Sequence, residues 1–209
     1  MKAIVIGHGP SLKNAGLGNK IDNFDGYVIR LTNRKWQTPE DYGTKIDYVC
    51  AAHEVKRLSI CFTESIPNIE TWIYAHKSKG LSDTKKLIKE HPERKFVICR
   101  KETTPWVQRS KDLLQEYREK TPVDERGRFI KHFSQGLGAI IIAIQRLNLI
   151  EILLPGCDNL LKGTTNGFFS YACLDISNKP RCILEHHYGN ERIILDEALA
   201  KYKVKLVDF

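Results

Sequence analysis

The residues able to do chemistry fall in a few short stretches. The first is Gly7-His8-Gly9-Pro10-Ser11, directly after the apolar run Lys2 to Ile6. Glycine lets backbone come close to a ligand and adopt positive φ. Pro10 stiffens the turn, Ser11 adds a hydroxyl, and successive N–H groups in such a turn can cradle phosphate. The stretch is neither GxGxxG nor a P-loop, which would carry a lysine, so a plain structural turn is the competing interpretation. Asn33 follows the next apolar run; its amide can donate to a phosphate or accept from a base, and it equally suits a turn. Ser134 and Gly136, in Lys131-His132-Phe133-Ser134-Gln135-Gly136-Leu137-Gly138, open what reads as a phosphate-binding helix N-terminus, with Lys131 as a nearby cation.

Two further stretches come later. Gly156 and Asp158, in Pro155-Gly156-Cys157-Asp158, end an apolar run; a carboxylate there orients a ligand or a loop, or caps a helix. In Glu185-His186-His187-Tyr188 the two imidazoles titrate near neutral pH, as a general base requires. His187 is preferred over His186, because Tyr188-Gly189-Asn190 leaves room for a helix cap before Glu191. The chain has no HxH, HExxH or DxD spacing, which points to metal-independent chemistry with no cofactor.

The elements that must position these residues alternate. Strands are expected at 2–6, 27–32, 46–51, 70–75, 95–99, 150–154 and 203–208, as short β-branched or continuous apolar runs suited to burial on both faces. Helices are expected from Ser82 to His91 with Ser82-Asp83 as cap, from Val107 to Lys120, from Gly138 to Leu147 with apolar residues nearly all round, and from Glu191 to Tyr202. In the last of these, Ile193, Ile194, Ala198 and Leu199 are read as one apolar side. The alternation predicts a single α/β domain over residues 1–209, with a mostly parallel sheet between helices. The more polar segment from Arg100 to Phe133 reads as a helical lid or small insertion.

Composition narrows the classes. The chain has 209 residues, 42% hydrophobic and 28% charged, and a net charge of +8. That is an ordinary globular balance with room for a core and a bias toward an anionic partner. The first apolar run is too short for a signal peptide, and no stretch approaches the roughly 18 apolar residues of a membrane span. Six cysteines, without a CxxC pair, read as reduced and mostly buried thiols of a cytoplasmic protein.

Taken in order, these stretches resemble the small bacterial sialyltransferases that use CMP-activated sialic acid. In that family a first strand leads into Gly-Asn-Gly-Pro-Ser-Leu, here Gly7 to Leu12. An Arg-Cys-Asn segment is similar to Arg30-Leu31-Thr32-Asn33. A Thr-Ser-Gly helix start matches Ser134-Gln135-Gly136, and a strand ending in Ser-Gly-Ile-Asp matches Ile150 to Asp158. A closing histidine, amphipathic helix and Tyr-Lys-Ile-Lys-Leu strand match His186 or His187, then Glu191 to Ala200, then Tyr202 to Leu206. The resemblance implies a glycosyltransferase of Rossmann-like fold, inverting and metal-independent, with the nucleotide-sugar donor as substrate. CMP would lie across the glycine turn, Asn33 and the Ser134–Gly138 helix start. A histidine would deprotonate the acceptor hydroxyl, and Lys131 would offset phosphate charge. Two acceptor classes stay open, a glycan and a modified DNA base. For the latter, Trp36, Trp106 and Phe133 would stack on a flipped base or else pack in the core. The alternative of another class is a non-catalytic nucleotide- or nucleic-acid-binding module.

Overall fold

The computed structural model describes residues 1–31, 38–52, 69–74, 81–120, 134–162 and 188–209. The strands are β1 (Lys2–Ile6), β2 (Tyr27–Leu31), β3 (Tyr48–Ala52), β4 (Thr71–Tyr74), β5 (Phe96–Ile98), β6 (Glu151–Leu153) and β7 (Lys205–Leu206). They form one sheet in the order β5-β4-β3-β2-β1-β6-β7, and every pairing is parallel. The helices are α1 (Gly18–Asp22), α2 (Pro39–Tyr42), α3 (Leu81–Glu90), α4 (Arg100–Lys120), α5 (Gln135–Arg146), α6 (Asp158–Lys162) and α7 (Tyr188–Tyr202), with a short 3₁₀ turn at Pro10–Leu12. The expected parallel α/β architecture is the one observed. All seven expected strands are present, most of them shorter than their apolar runs.

The period of two along each strand assigns its residues to opposite layers. Ala3, Val5, Ile29, Leu31, Cys50, Trp72 and Tyr74 join a core with α4, α5 and α7. Ile4, Ile6 and Val28 face the other way, against Leu12, Ile21 and Tyr42 of the 3₁₀ turn, α1 and α2. Ala51 and Ile73 pack there against Leu87 and Ile88 of α3. Strands covered on both faces explain the continuous apolar runs.

α5 is the central helix. Every residue from Leu137 to Ile144 is buried, so its all-round apolar pattern is that of a helix enclosed on all sides. It can come close to β4 because position 138 is glycine: a Cβ there would sit 2.9 Å from Cγ of Tyr74.

Some expectations need correction. Over Arg100–Lys120 the polar segment read as a lid or insertion is one helix of the main layer, with Thr103, Trp106, Val107, Leu113 and Leu114 buried. Its polarity belongs to the outer face; residues 121–133 lie outside the described residues. Trp106 is 6% exposed inside the core, which removes it as a base-stacking platform, while Trp36 and Phe133 lie outside the described residues. Ile193 is 42% exposed; the buried side of α7 is instead Ile194, Leu195, Ala198 and Leu199. Ser82 sits inside the first turn of α3 rather than at its cap. Among the described residues, no helix is long and apolar enough to cross a membrane.

Gly138→Ala is expected to cost about 1–3 kcal/mol by overpacking α5 against the Tyr74 ring, although alanine is the better helix former. Denaturant titration of the two proteins measures the difference.

Candidate functional site

Strand order locates the candidate site. The chain runs from β1 outward to β5, then crosses through α4 and α5 to β6 on the opposite side of β1. In doubly wound sheets, ligands bind beyond the carboxyl ends of the strands where the order reverses. Here that point lies between β1 and β6, and it brings together Gly7–Ser11 and Pro155–Asp158, two stretches singled out in the sequence.

The two loops meet backbone to backbone. The Gly7 N–H donates to the Pro155 carbonyl at 2.9 Å and the Gly9 N–H to the Gly156 carbonyl at 2.6 Å. A Cβ on Gly7 would lie 2.2 Å from the Gly156 oxygen, and one on Gly9 would lie 2.3 Å from Oδ2 of Asp158. Gly156 itself has a φ of 71° and faces Leu12, whose Cδ1 would be 2.5 Å from a Cβ there. Asp158 Oδ2 accepts the Ser11 N–H at 2.9 Å. These contacts bear on the expected phosphate cradle built from the N–H groups of the turn. The N–H groups of Gly7, Gly9 and Ser11 donate within the protein, and Pro10 has none. What the turn presents outward includes the exposed Ser11. His8 is half-buried beside it.

Behind the turn, Asp41 of α2 accepts from the N–H of Asn14 at 2.8 Å and of Gly16 at 2.9 Å. These bonds, that of Gly16 first, hold the Asp41 carboxyl below its usual range. Arg30 is buried on β2 and donates to the carbonyls of Tyr42 and Lys45. Burial draws its guanidinium down to about 10, against the nearby Asp22 charge. The arginine of the Arg30–Asn33 segment therefore fixes the end of α2.

The second half of the site is the start of α5. Ser134 is its N-cap, and its hydroxyl accepts the Leu137 N–H at 3.3 Å. The Gln135 side chain donates to the Cys50 carbonyl near the end of β3. Gly136 stands over the end of β2: among the described residues, a Cβ there would find nothing nearer than Ser134 Oγ at 3.8 Å and Leu31 Cδ1 at 3.9 Å. Ser134, Gln135 and Gly136 are all partly exposed. Unlike Gly7 and Gly9, Gly136 is not crowded at this position by any of the described residues.

Sequence reasoning missed Glu191. In the first turn of α7, it accepts the Ser134 N–H at 2.8 Å and the Ser134 hydroxyl at 2.6 Å. It is 2% exposed. Burial pushes its carboxyl up to about 7, the two Ser134 bonds acting in the opposite sense. Tyr74 lies near it, its phenol raised by burial and then by the Glu191 charge. The helix start expected to receive a ligand anion thus already serves an internal carboxyl at its cap, which leaves the Gln135–Gly136 edge as the part turned outward. The only signal for Glu191 in the sequence is an acidic residue in a first helical turn; its partner is 57 residues away.

His186, His187, Lys131 and Asn33 lie outside the described residues. The helix that follows the histidines begins at Tyr188. Tyr188-Gly189-Asn190 are therefore helical, and the spacing reason for preferring His187 over His186 no longer holds.

No protein-family model matches the chain, and no curated protein matches it. Solved structures do, among them two of mammalian sialyltransferases. One is a mammalian sialyltransferase, at a TM-score of 0.52 and 14% identity, covering 99% of this chain and 68% of that one. The other is a mammalian sialyltransferase in complex with Gal-beta-1-3GalNAc-ortho-nitrophenol, at 0.49 and 14%, with the same coverage. The first likeness identifies the fold as sialyltransferase-like; it does not assign the chain to the bacterial family.

The Glu191 carboxyl sets a pH dependence. Its folded-state pKa of about 7 lies above the ordinary 4.5, so the folded protein holds the proton more tightly. The associated stability is fully present below about pH 4.5 and is lost as the pH rises through about 7. Against Glu191→Gln, which cannot titrate, the wild-type unfolding free energy should fall between pH 5 and pH 8. Paired urea titrations across that range read the difference.

Proposed function

We propose that this chain is a glycosyltransferase that moves a sugar from a nucleotide donor, CMP-linked by preference, to an acceptor hydroxyl with inversion and without a metal ion. The observation that carries the reading is the start of α5. Gly136 stands over the end of β2 with room that none of the described residues fills, beside the sheet's point of reversal, on a fold of the sialyltransferase kind. Close approach of a ligand is a physical reason for glycine there. In this reading the nucleotide lies between the Gly7–Ser11 turn and the Ser134–Gly136 edge, within reach of Asn33. His186 or His187, just before α7, takes the proton from the acceptor hydroxyl as the bond to the anomeric carbon forms and CMP leaves. Lys131 offsets charge on the leaving phosphate. A glycan is the preferred acceptor; the case for a flipped DNA base loses Trp106 to the core.

Calorimetric titration with CMP, UMP, GMP and AMP, without metal, tests the donor. Selective CMP binding supports the reading, selective UMP binding moves the donor to UDP-sugars, and no binding to any nucleotide ends it. Gly136→Ala should leave the unfolding free energy unchanged or raise it by up to about 1 kcal/mol, yet weaken nucleotide binding roughly tenfold or more. One of His186→Ala and His187→Ala should abolish turnover and keep nucleotide binding. If neither does so in a chain that binds nucleotide, the protein is a binding module.

A further inference from the structure

Three of the turn's N–H groups are committed internally, so its shape must be held by something other than the ligand. Asp158 opens α6, 147 residues from Ser11, and Oδ2 of its carboxylate accepts the Ser11 N–H at 2.9 Å. The same oxygen would lie 2.3 Å from a Cβ on Gly9, so the carboxylate is seated against the backbone of the turn. Its base is firm: Cys157 and Leu160 on either side are buried, and Arg192 of α7 donates to the Leu161 carbonyl at 2.9 Å. At the far end of the same connection, Asp41 fixes Asn14 and Gly16, and Asn14 sits at a φ of 57°. Two carboxylates thus clamp the connection on either side of the exposed Ser11.

We propose that Asp158 is a positioning residue of the nucleotide site, holding the Gly9–Ser11 turn in the form that receives the donor without itself touching it. The proposal rests on the nucleotide-binding reading above. Of the roles the sequence leaves open for Asp158, it selects the orienting of a loop over direct ligand contact, and it follows from acceptor geometry. An amide oxygen at the same place serves as well as a carboxylate, whereas a carboxylate on a longer stem does not fit beside Gly9.

Three variants separate geometry from charge. Asp158→Asn keeps an acceptor for Ser11 and should bind CMP within about threefold of wild type. Asp158→Ala loses the acceptor, and Asp158→Glu keeps the charge but not the seat. Both should weaken binding about tenfold or more, with the donor KM rising in proportion and kcat changing less. Amide hydrogen exchange at Ser11 should be slow in wild type and Asp158→Asn, and faster in Asp158→Ala and Asp158→Glu. If Asp158→Asn is as impaired as Asp158→Ala while Asp158→Glu binds normally, the carboxylate meets the ligand by charge and the proposal falls. Wild-type affinity in Asp158→Ala overturns it as well. Should the alanine variant not fold, the Asn and Glu variants decide between them. If the wild-type protein binds no nucleotide, the functional reading fails. Ser11 exchange then still decides whether Asp158 holds the turn: equal rates in all variants overturn that claim.

Discussion

Close approach of two peptide backbones governs the site end of this molecule. A chain that runs outward from β1 and returns on its other side at β6 must bring the loops after those strands together. With side chains between them, the loops would be held apart by the width of at least one methyl group. Gly7 and Gly9 remove that layer, and Gly156 turns away through a positive φ. The carbonyls of Pro155 and Gly156 can then accept directly from the opposite loop. The burial of Leu12 and Cys157 and the seating of Asp158 follow from that contact. So does a limit on chemistry, since N–H groups spent on the contact are not available to a phosphate.

Around this contact, polar side chains rather than the apolar core fix the loops relative to the sheet. Arg30, Asp22 and Asp41 work almost wholly through backbone partners. Burial alone would raise the Asp22 carboxyl, yet the N–H groups of Lys45 and Thr44 and the Thr44 hydroxyl hold it below its usual range. A buried ionised group without such bonds would cost several kcal/mol. Glu191 is the exception: two bonds from Ser134 do not fully offset its burial, and its proton is held to near neutrality. It joins the cap of α5 to the first turn of α7, two elements that share little sequence-local information.

The fold was legible because its cues are local. β-branched runs, the apolar girth of α5 and the regular alternation of elements each lie within a window that a single strand or helix samples. Gly7, Gly9, Ser134, Gly136, Gly156 and Asp158 stand out in the sequence because glycine, serine and aspartate at strand ends are few. Their individual roles were not. That Gly7 meets Gly156, that Asp158 meets Ser11 and that Glu191 meets Ser134 depends on which strands become neighbours, and no residue near any of them encodes it. Ile193 and the α4 segment failed for the opposite reason. There, local pattern alone set the inward face of one helix and mistook a polar outer face for an exposed segment.

The buried thiols carry a consequence of another kind. Cys50 lies in the middle of the sheet, Cys99 at the end of β5 and Cys157 in the loop after β6, and all three are free. Burial raises Cys50 well above its ordinary range and pushes Cys99 and Cys157 up to about 12. Since the thiolate is the reactive form, each is silent toward alkylating reagents until its surroundings open. The molecule therefore carries its own clocks at three stations. The order in which Cys50, Cys99 and Cys157 become labelled, resolved by peptide mapping, would give the sequence in which the centre, one edge and the β1–β6 seam come apart.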